Sequence, residues 1–119
     1  MRPAAAAQGP LAGLRVIELA GERSAFAGKL MAGLGAEVVL VEPPGGHLTR
    51  KYEPFYEDQA GLERSLYFWH YNTGKRGIVL DLDVSSDVES LRRFLASVDI
   101  FLESETPGRL ASLALDYAR

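Results

Sequence analysis

Cysteine is absent from the 119 residues, which removes disulfides, thiolate nucleophiles and cysteine-based zinc centres. Histidine is nearly absent. The two present, His47 and His70, stand far apart without carboxylates at ligand spacing, which argues against a metal centre. No block of like charge occurs: 13 Lys plus Arg are scattered among 16 Asp plus Glu, for a net charge of -3. Bulk electrostatics therefore favour neither a nucleic acid nor a membrane surface as partner. No apolar run approaches the roughly 18 residues needed to cross a bilayer. The opening MRPAAAAQGP is broken by polar residues and Pro10, so residues 1–10 read as a flexible tail and not as a secretion signal. A reducing, cytoplasmic setting fits these absences.

What is present points to one compact domain. With 47% hydrophobic and 24% charged residues, the composition is that of an ordinary globular protein. From Leu14 onward, short β-rich runs alternate with amphipathic stretches, the pattern of strand-helix-strand units on a parallel sheet. RVIEL (15–19) reads as a first strand. Phe26, Leu30 and Leu34, joined by Ala27 and Met31, put an apolar stripe on a following helix that Gly33 and Gly35 close. EVVLV (37–41) is a second strand, apolar enough to be covered on both faces, and Glu42-Pro43-Pro44-Gly45-Gly46 ends it. The chain to about Ser65 reads as a long loop. GIVLDL (77–82) is a third strand. Ser86 and Glu89 form a capping box ahead of Val88, Leu91, Leu95 and Val98 on one helical face. Residues 99–102 make a fourth strand, and Thr106-Pro107 reads as the cap and first position of a last helix running to Arg119.

In an open parallel sheet, ligands gather at the carboxyl ends of the strands, which here are residues 20–24, 42–46, 81–85 and 103–108. Helix N-termini at those ends favour phosphate. Glu42 sits where dinucleotide-binding proteins place an acid on a ribose hydroxyl, but no G-x-G-x-x-G precedes it. The simpler reading is a buried or solvated strand-end glutamate. Gly21 and Gly28-Lys29 have six intervening residues where a P-loop needs four, and Leu30 replaces the hydroxyl residue that would hold magnesium. Tyr67-Phe68-Trp69-His70-Tyr71, lacking a basic groove, reads as a loop anchor against the core. Lys75 and Arg76 read as solvated cations on a turn. No nucleophile elbow arranges serine, histidine and aspartate as a triad.

Taken in order, PLAGLRVIELAG, AGKLMAGLGAEVVLVEPPGGHLTR, SLYFWHYNTGKRGIVLDL and DIFLESETPGRLASLALDY resemble the family III coenzyme A transferases, a group that includes formyl-CoA transferase, carnitine CoA-transferase and the α-methylacyl-CoA racemases. The resemblance covers nearly the whole chain after Gly9. It implies an α/β fold, a Rossmann-like parallel sheet with flanking helices, and residues 11–119 as a partial coenzyme-binding domain. It also implies transfer of CoA between an acyl-CoA and a carboxylic acid, both bound as substrates with no tightly held cofactor. Carried onto this sequence, the coenzyme positions are Arg23, Ser24, Pro43, Leu80, Asp81, Leu82, Asp83, Ser104, Glu105 and Thr106.

Departures from the family pattern accompany the match. Ser104 stands for the usual asparagine and Glu105 for an apolar or aromatic residue. Ser112 replaces a basic residue that some members use for the coenzyme's phosphates, and Ala114 replaces a glycine. His47 stands where aspartate is common. Arg109, three residues before Ser112 and so on the same helical face, is expected to take over the phosphate contact. No residue matches the aspartate that attacks the thioester in the family, so no catalytic residue is assigned; Asp81, Asp83 and Asp116 belong to other motifs. The resemblance implies a homodimer, or pairing with a chain that carries the rest of the fold, and a segment that is marginal or aggregation-prone alone. A non-catalytic coenzyme-binding or partner-pairing module and a racemase-like member are the alternatives.

Overall fold

The computed structural model describes residues 8–116, so the expected tail lies outside the described residues as far as residue 7. The elements run β1 (Arg15–Leu19), α1 (Ala25–Gly33), β2 (Glu37–Glu42), two 3-10 turns (Leu48–Lys51 and Tyr56–Asp58), α2 (Leu66–Asn72), β3 (Arg76–Val79), α3 (Ser85–Leu95), β4 (Ile100–Leu102) and α4 (Arg109–Ser112). The four strands are parallel in the order β3-β2-β1-β4. Val16 is in register with both Val38 and Ile100.

Period-two alternation on the central strands supplies two covered faces. Ile17, Leu19 and Val41 pack with Val88 and Leu91 of α3 and with Leu115. Val16 and Val38 point the other way and pack with Met31 and Ala32 of α1. Burial of a side chain as large as Leu91, which is wholly inaccessible, contributes about 1.5–3 kcal/mol. The parallel sheet is the one the periodicity predicts, although β3 ends at Val79 and not at Leu82. On α3 the predicted Val88, Leu91 and Leu95 share the covered face, and Val98, past the helix end, packs beside them.

Other expectations change. The apolar stripe of α1 does not face the sheet: Phe26, Leu30 and Leu34 are 51%, 50% and 45% exposed, while Ala25 and Gly28 are buried. The helix lies too close to β1 for large side chains, since a Cβ on Gly28 would overlap the Glu18 carboxylate. The aromatic string is not a loop but α2, started by Ser65, whose hydroxyl accepts from the Phe68 amide at 3.1 Å; of its rings only Phe68 is buried. The Ser86/Glu89 capping box does not form, because α3 begins at Ser85 with Val84 at the cap position, which puts Ser86 inside the helix. Its first turn instead places Asp87 to accept from the Asp81 amide at 2.8 Å. Thr106 and Pro107 precede a short α4 capped by Gly108, and α4 ends at Ser112.

That early end has a defined cause. The Leu115 amide reaches the Leu110 carbonyl at 2.9 Å and the Ala114 amide reaches Ala111 at 3.0 Å, the double bond of a Schellman closure. Helix α1 closes identically, with Ala36 to Met31 at 3.0 Å and Gly35 to Ala32 at 3.1 Å. The left-handed residue is Gly35 (φ 107) in α1 but Ala114 (φ 55) in α4. A Cβ is strained there. Ala114→Gly is therefore expected to stabilise the chain by about 0.5–1 kcal/mol, read as a higher urea midpoint at unchanged slope; a lower midpoint would contradict the strain argument.

Candidate functional site

The connection from β1 enters α1 on one face of the sheet, and the connection from β4 leads toward α4 on the other. Loops leaving adjacent parallel strands in opposite directions open a crevice at the strand ends. A cavity of about 590 Å³ lies there. Gly21, Glu22 and Arg23 come from the first loop, Ser104 and Glu105 from the loop after β4, and Tyr67 and Tyr71 from one face of α2, with His47 beside them. A larger hollow of about 910 Å³ lies along the free edge of β4, between α3 and α4. Its floor of Leu95, Ile100, Phe101 and Leu110 is apolar, while Arg92, Asp99, Glu103 and Asp116 stand around it.

Ser104 and Ser24 hold the two loops together. The Ser104 hydroxyl donates to Ser24 Oγ at 3.4 Å, and Ser24 Oγ donates to the Gly21 carbonyl at 3.4 Å. Gly21 leaves room for this contact, since a Cβ there would overlap Ser104 Oγ. Glu22 is oriented by the Tyr52 hydroxyl, which donates to Oε2 at 2.9 Å and whose own ionisation is thereby suppressed. The Glu105 amide donates to Glu103 Oε2 at 2.7 Å.

Three of the sequence-predicted positions, Arg23, Ser104 and Glu105, thus line the cavity, and a fourth, Ser24, is buried behind it as the partner of Ser104. Three others form a second group. Arg109 Nη2 lies 3.2 Å from Asp83 Oδ1, and Asp81 Oδ1 accepts from the Asp83 amide at 2.9 Å. Leu80 and Leu82 turn into the core against the α3 layer. Pro43 is exposed on a turn closed by the Gly46 amide at 2.9 Å, and Thr106 lines the apolar hollow. Glu22, Tyr67 and Tyr71 were not among the predicted positions. The four-residue spacing of the two tyrosines was the available signal, since it places them on one face of a helix.

Two buried acids carry the electrostatics beneath the rim. Glu42, 4% exposed, is clamped by Arg50: Nε to Oε2 at 2.6 Å and Nη2 to Oε1 at 2.7 Å. The His47 amide adds a bond at 2.9 Å. Burial pushes the Glu42 pKa up, but the Arg50 and His47 bonds and the Arg50 charge outweigh it and hold it below 4.5. With both oxygens committed, Glu42 has the simpler of its two readings and is not offered to a ribose. The guanidinium also lies 4.0 Å over the Phe68 ring, tying the turn to α2. Burial keeps the His47 pKa below 6.5 against the pull of Glu42, Glu105 and Glu22, so its imidazole is neutral at pH 7.

Glu18 on β1 is the second acid, and its partner corrects the reading of Lys75 as a solvated cation. The Lys75 side chain is 1% exposed and its ammonium donates to Glu18 Oε2 at 3.0 Å, the Ala25 carbonyl at 2.9 Å and Asn72 Oδ1 at 2.8 Å. Glu18 Oε1 faces the ammonium at 2.8 Å, at an angle that leaves it an ion contact without a hydrogen bond. Burial outweighs the mutual attraction on both sides, raising Glu18 above 4.5 and lowering Lys75 below 10.5. Among the described residues no group of acids and histidines is arranged to hold a metal ion, and no helix is long and apolar enough to cross a membrane.

Comparison with known proteins agrees with this architecture. The family model for CoA-transferase family III matches residues 11–119. Succinyl-CoA:(R)-benzylsuccinate CoA-transferase subunit BbsE of Thauera aromatica is 39% identical over 87% of the chain and 25% of its own length. Succinate–glutarate CoA-transferase of Agrobacterium fabrum is 40% identical over 91% of the chain and 28% of its own length. Among solved structures, a CaiB/BaiF family protein from Brucella suis superposes with a TM-score of 0.81 at 35% identity, over 93% of this chain and 30% of that one. The chain thus spans between a quarter and a third of the length of these relatives.

Proposed function

Because the chain belongs to CoA-transferase family III, we propose that it supplies the coenzyme-binding part of an enzyme that moves coenzyme A from an acyl-CoA to a carboxylic acid. The observation that carries this reading is the crevice lined by Arg23, Ser104 and Glu105, with Ser24 bonded to Ser104 behind it, at the carboxyl end of a parallel sheet. The adenylated coenzyme lies along this rim, from the cavity toward Arg109. No aspartate lines the cavity, so the carboxylate that attacks the thioester is assigned to another part of the protein. In the cell the segment works within a dimer or against a partner chain that brings it. Acyl-CoA and carboxylic acid are substrates here, and no resident cofactor is needed.

Titration calorimetry with free coenzyme A is expected to show saturable one-to-one binding, and none would refute the reading. Arg109, which among the described residues meets exposed Asp83 through its side chain, is placed to exchange that partner for a phosphate. Arg109→Ala is expected to weaken coenzyme A about tenfold, and an unchanged Kd removes the residue from the site. A second reading, a coenzyme-holding module without chemistry of its own, rests on the lack of an aspartate among the residues that line the cavity. Acyl exchange measured with the remaining segment added in trans separates the two.

A further inference from the structure

The cavity carries an unbalanced charge. Glu22 and Glu105 line it against one cation, Arg23, while His47 is neutral. The cations that could offset them from below are engaged: Arg50 on Glu42 and Lys75 on Glu18. Glu22 accepts a bond from the Tyr52 hydroxyl at 2.9 Å, which orients its carboxylate at the cavity wall. The remaining wall is aromatic and apolar, with Tyr67 and Tyr71 packed at 4.6 Å and Leu48 55% exposed beside them. Its volume, about 590 Å³, suits a small organic group.

We propose that Glu22 and Glu105 make this cavity a charge filter, which admits an uncharged acyl chain of the thioester and turns away one ending in a second carboxylate. The inference rests on the coenzyme reading above and narrows it to a substrate class. A terminal carboxylate would meet the like charges of Glu22 and Glu105, with Arg23 the one cation in the lining. An alkyl or aryl chain would bury its surface against the tyrosines at no such cost. The relatives whose names specify succinate and glutarate handle dicarboxylates by those names, and this chain would differ from them.

The test is calorimetry on the 119-residue chain with coenzyme A, butyryl-CoA and succinyl-CoA at low salt, repeated on the Glu22→Gln/Glu105→Gln variant. Butyryl-CoA is expected to bind about tenfold more tightly than succinyl-CoA to the unsubstituted chain, with the ratio falling below about threefold in the variant. Reading the ratio within each protein cancels any effect of the substitutions on the coenzyme itself. Equal affinity for the two thioesters, or a preference that survives in the variant, overturns the filter while leaving the coenzyme reading intact. Failure of coenzyme A itself to bind removes that reading, and the filter with it.

Discussion

Replacing Lys75 with methionine is expected to destabilise the chain by about 3–5 kcal/mol, a large share of the about 5–15 kcal/mol available to a small domain. All three protons of the ammonium are used, on Glu18, Ala25 and Asn72. Methionine fills the same tunnel but leaves a wholly inaccessible carboxylate on the central strand with no cation. Burial already disfavours the charged form of Glu18, so without Lys75 it must take up a proton or draw in water. The companion variant Glu18→Leu/Lys75→Met removes both charges at similar volume. It is expected to recover more than half of the loss, since an apolar replacement for a buried pair is often neutral. Urea unfolding of the two singles and the double, treated as a cycle, reads this directly. A Lys75→Met loss below about 1 kcal/mol would mean that the pair contributes little.

The second large effect is at Arg50. Arg50→Ala is expected to cost about 3–5 kcal/mol, because Glu42 then stays buried and unpaired. Arg50→Lys is expected to recover only part of it, since an ammonium cannot reproduce the two-pronged clamp or lie flat over Phe68. The pair also sets a pH dependence of known sign. Glu42 is held below its ordinary 4.5, so as the pH falls the unfolded chain takes up this proton first. The stabilisation is complete above about pH 4.5 and is lost as the pH drops through the folded value. Urea midpoints from pH 6 to pH 3 are expected to fall, with a shallower fall in Glu42→Gln. An equally steep fall in that variant would place the acid sensitivity elsewhere.

Periodicity made the sheet and α3 legible, because β1 and β2 meet α3 through an apolar face of Ile17, Leu19 and Val41. It failed at α1 for an identifiable reason. Spacing shows which residues share a face, not which face a neighbour covers. Gly28 rather than Phe26 meets the sheet because a buried ion pair lies beneath it and the helix must approach closely. The pair left a trace in the sequence all the same. In RVIEL, Glu18 follows Val16 by two and so shares its buried face, and an acid there requires a cation. Nothing local names Lys75 as that cation, 57 residues away. At the rim, the convergence of residues 23, 104 and 105, with Ser24 behind them, was readable because strand ends fix where loops converge. Glu22 and the α2 tyrosines were not, since their meeting depends on a turn and helix that read as irregular chain.

The Lys75 ammonium joins β1, the first turn of α1 and the end of α2 at one point. The first loop of the crevice, Gly21 to Ser24, hangs between two of those anchors, β1 and α1. Its spacing is consequently set from the floor of the molecule, so that a mouth facing solvent inherits the rigidity of a keystone no ligand ever touches.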